Sequence, residues 1–143
     1  MITPREIEFS YRLLFSDRTL KILAYNLETV LAEKIETVLS RNVASTRPRD
    51  FYDIYILYSL RKHECKINIL RSALGKTANK RNSLLYLIDY KDILQEIRRS
   101  KELRARWENY SLSYDYAKDI SFDDSCNVLQ SILDAIDYKS NLP

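Results

Sequence analysis

The chain contains a single glycine, Gly75, among its 143 residues. Glycine-rich phosphate loops and dinucleotide-binding fingerprints need several glycines at fixed spacing, because their backbone has to approach a phosphate closely. The sequence therefore excludes a P-loop and a Rossmann-type site. With 45% hydrophobic residues, the chain is long enough for a sizeable core, and we expect residues 1–143 to form a single domain.

Cysteine, histidine and hydropathy patterns exclude further classes. Cys65 and Cys126 fit no CxxC or other metal-binding spacing, and His63 is the only histidine, so a Cys/His metal site is excluded. No apolar stretch reaches the roughly 18 residues of a membrane span, and the first residues lack the order of a signal peptide. We expect a soluble, cytoplasmic protein with reduced thiols and no membrane contact.

Hydrophobic periodicity predicts an α+β fold that is mainly α. Residues 7–15 alternate between apolar and polar side chains, and a shorter apolar run at 20–25 follows a turn, which predicts a β-hairpin within residues 1–25. An isolated hairpin is marginally stable, so these strands need more sheet or a helix behind them. The region 26–143 is predicted to form a bundle of about five to six helices.

Caps and prolines place the predicted helix boundaries. Asn26 suits the N-cap of a helix that extends to about Arg41, and Pro48 suits the first turn of a central, buried helix. Gly75 is predicted to stop a short helix, leaving KTANKR at 76–81 as a basic connection. Three more helices are predicted: roughly 84–99, 101–114, and a final helix that starts from a capping box formed by Ser121 and Asp124.

Lys34 falls inside the apolar arc of the first predicted helix. Its aliphatic stem could simply cover the core while the ammonium reaches water. The alternative is a cleft with an anionic partner, because an unpaired buried ammonium is costly. Asp50 and Asp53 are three residues apart and share a face of the next helix, so they are candidate partners. Their ordinary interpretation is Asp50 favouring the helix dipole and Asp53 paired with Arg49.

Positions 25–57, YNLETVLAEKIETVLSRNVASTRPRDFYDIYIL, resemble the AbiEii/AbiGii family of nucleotidyltransferase-like toxins. The resemblance rests on a tyrosine-led helix containing AEK, a following arginine and an RxRDxxD block. It continues through KTANKR, RARWENY and YAKDISFDD, and so covers nearly the whole chain. It implies a polymerase-β-like transferase of a type IV toxin–antitoxin or abortive phage infection system, with this chain corresponding to the family's C-terminal half.

The resemblance also implies roles for individual residues. Lys34, with Arg49, would contact nucleotide phosphates, and Asp50, or alternatively Asp53, would be the later acidic residue of the catalytic site. The family's GS motif and DxD pair, which bind metal and triphosphate, are absent from these 143 residues. Mg²⁺ is therefore expected as a cofactor only for a complete family member, and this chain alone should bind none and catalyse poorly.

Charge is uneven along the chain, since residues 61–106 hold 13 of the 23 Lys and Arg but only 5 of the 20 Asp and Glu. Such a segment predicts contact with a polyanion, although solvated helix faces explain it equally well. With the resemblance, it indicates an RNA acceptor such as transfer RNA. The candidate nucleic-acid-binding residues are Lys76, Lys80, Arg81, Arg98, Arg99, Lys101 and Arg104.

Two hypotheses follow. The first is the C-terminal region of a nucleotidyltransferase toxin that uses a nucleoside triphosphate and an RNA acceptor, either cropped or encoded without its catalytic half. The second is a non-catalytic helical module from a shortened gene that binds RNA or an antitoxin protein. In both, an unpaired strand edge near the N-terminus would favour a homodimer through the N-terminal strands.

Overall fold

The computed structural model describes residues 26–45 and 47–139, which contain seven α-helices and two short 3-10 turns. The helices are α1 (Leu27–Ser45), α2 (Pro48–Arg61), α3 (Ile67–Lys80), α4 (Leu84–Ile88), α5 (Tyr90–Arg99), α6 (Lys101–Ser113) and α7 (Phe122–Ile136). The 3-10 turns, Lys62–Glu64 and Asp115–Ala117, follow α2 and α6. The mainly helical prediction is confirmed. The predicted hairpin, and the homodimer predicted through it, lie outside the described residues.

Three helix starts follow the local chemistry that the sequence predicts. Asn26 Oδ1 accepts a hydrogen bond from the Thr29 backbone N–H at 3.0 Å at the start of α1. Pro48 is the first residue of α2, where its missing N–H costs nothing. At the start of α7, Ser121 and Asp124 form the predicted capping box, in which each side chain accepts the other residue's backbone N–H. These boundaries are confirmed.

Two predicted boundaries are wrong. Helix α3 runs through Gly75 to Lys80, so most of the predicted basic connection is helical. A Cβ atom at Gly75 would lie 3.1 Å from the Tyr138 ring, so glycine serves here to let that ring approach α3. The segment 84–99 is two helices, because the backbone at Asp89 (φ −94°, ψ 22°) separates α4 from α5. This break raises the helix count of the described residues above the predicted five to six.

Helix α2 lies at the centre of the fold, as its nearly continuous apolar sequence predicts. It packs against α1, α6 and α7, and Phe51, Ile54 and Leu57 are among its buried residues. Each fully buried side chain of this size contributes on the order of 1.5–3 kcal/mol relative to exposure. None of the helices in the described parts of the chain combines the length and apolarity needed to cross a membrane.

Helices α1 and α3 run side by side in the same direction, because two buried carboxylates of α1 bind the two ends of α3. Glu28 accepts a hydrogen bond from the Lys66 backbone N–H, at the N-cap of α3, at 3.1 Å. About two turns further along α1, Glu36 accepts hydrogen bonds from Arg81 at 2.5 Å and from the Ser83 hydroxyl at 3.0 Å, just beyond α3. These contacts restrict the rotation of α1 about its axis and hence the direction of the side chains between them.

Candidate functional site

Lys34 lies in the middle of α1, and its ammonium is held between two carboxylates of α2. Its Nζ lies 3.1 Å from Asp53 Oδ2 and 3.4 Å from Asp50 Oδ1. The Lys34 side chain is 23% exposed, whereas those of Asp50 and Asp53 are 2% and 0% exposed. The structure therefore brings the three residues together, and the lysine has the anionic partners that helical spacing indicated. We call these three residues the Lys34 cluster.

In the Lys34 cluster, two buried carboxylates share one ammonium group as their counter-charge. Buried carboxylates are costly unless a cation or several hydrogen bonds accompany them. Because Asp50 and Asp53 are three residues apart, both reach the same side of α2, where α1 packs. The ammonium of Lys34 thus offsets part of the cost of burying both carboxylates, and the cluster carries a formal charge of minus one.

Arg47, the residue that precedes α2, supplies a second cation that the sequence reasoning missed. Its Nε lies 3.5 Å from Asp50 Oδ2, and its side chain is 53% exposed. The two oxygens of Asp50 therefore face one cation each. Oδ2 itself is buried and accepts no hydrogen bond from any described residue. The spacing of three residues between Arg47 and Asp50, across a helix start, was the available signal for this contact.

Arg49 was the arginine assigned to phosphate from the family resemblance. Its side chain is exposed, and it forms no ion pair with any residue in 26–45 or 47–139. The guanidinium that lies beside the Lys34 cluster is that of Arg47 instead. The phosphate-binding role of Arg49 stays a prediction.

The seven basic residues predicted to bind nucleic acid separate into two groups. Arg81 pairs with Glu36 of α1. Arg98 and Arg104 both bind side chains of α7. The other four are exposed and form no ion pair with a described residue: Lys76, Lys80, Arg99 and Lys101. The first two of these lie one turn apart near the end of α3, and the last two flank the junction of α5 and α6.

The side chains around Lys34 do not fit a magnesium ion. Mg²⁺ needs near-octahedral oxygen ligands, whereas Asp50 and Asp53 already share an ammonium group that would repel a cation. In the described part of the chain, no group of three or more Asp, Glu, His or Cys residues could hold a metal ion. The chemistry available to the cluster is therefore the placement of charge and hydrogen-bond donors.

Neither cysteine thiol is activated as a nucleophile. Burial raises the pKa of Cys126 to about 11. Burial, together with the negative charge of nearby Glu28, also raises the pKa of Cys65. Both thiols thus stay protonated near neutral pH, which disfavours covalent catalysis through cysteine.

Comparison with known protein families gives a match across most of the chain. The model for the family described as "Nucleotidyl transferase AbiEii toxin, Type IV TA system" matches residues 2–128. This span contains the whole Lys34 cluster and Arg47, and the match confirms the resemblance inferred from the sequence. Searches of curated proteins and of solved structures gave no match.

Proposed function

The chain belongs to the AbiEii family of nucleotidyl transferase toxins of type IV toxin–antitoxin systems, and from this premise we propose that the Lys34 cluster binds the phosphates of a nucleoside triphosphate. Membership also implies an antitoxin partner. The observation that supports the proposal is the ammonium of Lys34, which two buried carboxylates hold in place while the side chain keeps partial access to solvent.

The hydrogen-bonding capacity of Lys34 supports an anionic ligand. An ammonium group has three N–H donors, and the two carboxylates account for two of them. The third has no acceptor among the described residues. Because the group is already positioned by its ion pairs, it can donate to a phosphate oxygen without a large loss of side-chain entropy.

The two carboxylates take different roles in this proposal. Asp53 is fully buried and lies nearer to the ammonium, so it holds Lys34 in position. Asp50 lies beside Lys34 through Oδ1 and beside Arg47 through Oδ2, so it holds both cations, and the family resemblance implies that it is also the acid that orients an attacking hydroxyl. In nucleotidyl transfer that hydroxyl attacks the α-phosphorus and pyrophosphate leaves, and catalysis consists mostly of positioning and charge neutralisation.

Binding and transfer can be tested separately. We expect labelled nucleoside triphosphates to bind the protein at low ionic strength and Lys34→Ala to abolish the binding at a temperature where the variant is folded. Lys62→Ala is the matched control, since this exposed lysine lies about 18 Å from Asp50 along the axis of α2. Unchanged binding by Lys34→Ala would refute the phosphate-binding role, and the side chain of Lys34 would then only cover the core with its aliphatic stem.

Transfer by these 143 residues alone is expected to be absent. The GS and DxD elements of the family pattern are not among them, and the described side chains do not fit a magnesium ion. The assay is incubation with Mg²⁺, labelled nucleoside triphosphates and total transfer RNA, followed by separation of the RNA. Incorporation of label that disappears with Asp50→Asn would show that these residues complete the reaction, contrary to the proposal.

A second function, RNA binding, is favoured by the four exposed and unengaged basic residues near the ends of α3 and α5. If they contact phosphates, binding should weaken steeply with salt, and replacing all four by alanine should reduce the slope of log K against log salt by about 0.7 for each lost contact. A control variant removes equal charge at four other exposed lysines: Lys62, Lys66, Lys118 and Lys139. Equal slopes for the two variants would exclude a specific RNA surface at the proposed positions.

A further inference from the structure

We infer that Arg47 is a second phosphate-binding residue, aimed by Asp50 at the same polyphosphate group that Lys34 contacts. The inference rests on the proposed function, because it adds a residue to that site. Arg47 is the first residue of the RxRDxxD block, but the family resemblance gave the phosphate-binding role to Arg49 and none to Arg47. The geometry that carries it is the pairing of one buried carboxylate, Asp50, with Lys34 through Oδ1 and with Arg47 through Oδ2.

The backbone at Arg47 is restricted on both sides. Pro48 follows it, and a residue before proline is confined to extended conformations. The observed values, φ −100° and ψ 140°, lie in that region. On the other side, the Arg47 carbonyl accepts the Asp50 backbone N–H at 3.0 Å, which closes the first turn of α2. Because the backbone at Arg47 is restricted in this way, little backbone entropy is lost when a ligand binds the side chain.

The guanidinium of Arg47 is held at one edge and open at the other. Of its five N–H donors, the one on Nε lies towards Asp50. The other four belong to the two terminal amino groups, which form no hydrogen bond with a described residue. Two parallel N–H groups of this kind match two oxygens of one phosphate group. The half-exposed side chain leaves them accessible to a ligand.

The net charge of the Lys34 cluster also favours a second cation in any site that binds phosphate. The Lys34 cluster alone has one more carboxylate than ammonium, and its net negative charge would oppose an incoming phosphate. Arg47 brings the formal charge of the four side chains to zero and adds its positive charge beside Asp50 Oδ2, from a side chain that is itself 53% exposed. Arg49, although adjacent in sequence to Asp50, has no comparable link to the cluster in the described residues.

The test measures binding of inorganic tripolyphosphate, which contains the phosphate chain without base, sugar or bound metal. Calorimetric titration at low ionic strength with a metal chelator is done on the full chain, with circular dichroism and thermal melting to establish folding. We expect Arg47→Ala to weaken binding about tenfold, as expected for the loss of one charge-assisted contact. Arg47→Lys should fall between, because a lysine keeps the charge and loses the planar fork. Arg49→Ala is the matched control and should change binding less than twofold.

The outcomes separate this inference from the proposed function. If Lys34→Ala abolishes binding and Arg47→Ala binds like the wild type, the role of Arg47 is wrong and the proposed site stands. If Arg47→Ala and Arg49→Ala weaken binding equally, only diffuse positive charge is acting and the inference is again wrong. If the wild-type protein does not bind tripolyphosphate at all, both the inference and the phosphate site on which it rests are refuted.

Discussion

Replacing Lys34 with methionine tests whether its ammonium is the counter-charge of the two buried aspartates. Methionine keeps the length and most of the apolar stem, so the change removes mainly the charge. Removing one partner of a buried ion pair typically costs about 3–5 kcal/mol. Because Lys34 is 23% exposed and water can enter the vacated position, we expect the lower end, about 3 kcal/mol.

This loss is a large fraction of the stability of a typical domain, about 5–15 kcal/mol. For a chain of this size it corresponds to a decrease in Tm of about 6–12 °C. The double variant Lys34→Met/Asp53→Asn should be more stable than Lys34→Met, because it leaves only Asp50, which keeps Arg47. The coupling energy between the two sites should be about 1–3 kcal/mol in favour of the native pair.

The assay is urea unfolding followed by circular dichroism at pH 7, with Lys91→Met as the control for loss of an exposed lysine. The control should change the free energy of unfolding by about 0.5 kcal/mol or less. A Lys34→Met variant within about 1 kcal/mol of the wild type, with no coupling to Asp53, would refute the reasoning. The ammonium would then be a solvated group, and its distances to the carboxylates would carry no energetic weight.

Three further predictions concern other parts of the fold. Burial raises the pKa of Cys126 from its ordinary value of 9.0 to about 11 in the folded protein. The stability gained by keeping this thiol protonated is therefore complete below pH 9 and is lost as the pH rises towards 11. At pH 8, iodoacetamide should modify Cys126 only after the protein unfolds. The Arg104 guanidinium donates a hydrogen bond to Asp123 and holds the pKa of that carboxyl below its usual value. The pair therefore stabilises the fold above the pKa of the unfolded state, and this stabilisation is lost as the pH falls through the folded pKa. Asp123→Asn should lower Tm at pH 7 more than at pH 2. Gly75→Ala should raise the free energy of unfolding by less than the roughly 1 kcal/mol expected from helix propensity, because the added Cβ crowds the Tyr138 ring. The full gain should appear when Tyr138 is also replaced by alanine, and urea unfolding measures both variants.

The sequence predicts those parts of the fold that local chemistry decides. The caps at Asn26 and Ser121 and the proline at Pro48 act on backbone groups within a few residues, so each helix start could be inferred from its own segment. The interpretation of Gly75 was wrong because its role depends on Tyr138, a residue distant in sequence. Glycine most often ends a helix, and only the tertiary contact shows that here it provides space inside one.

The candidate site was predictable to the extent that it depends on helical spacing. Lys34 inside an apolar arc, and two aspartates on one face of the next helix, indicated three residues that the structure brings into contact. Spacing places Arg47 three residues before Asp50 and Arg49 four residues before Asp53, and it could not decide which contact forms, because the direction of each arginine depends on the backbone at the helix start. Likewise, which basic residues of the middle segment form ion pairs depends on the acids that α1 and α7 place beside them, and the sequence alone does not show these contacts.

The cost of the Lys34 cluster is itself an argument for its function. Buried ion pairs seldom stabilise a fold more than apolar residues of similar volume would, and their replacement by such residues is often neutral or stabilising. Helices α1 and α2 already bury Leu31, Ile35 and Ile54 in the surrounding core, so packing alone does not call for charges at this position. A lysine between two buried acids, with three N–H donors and only these two carboxylates as acceptors in the described residues, supports the proposed ligand more than it supports a role in the stability of the helix pair.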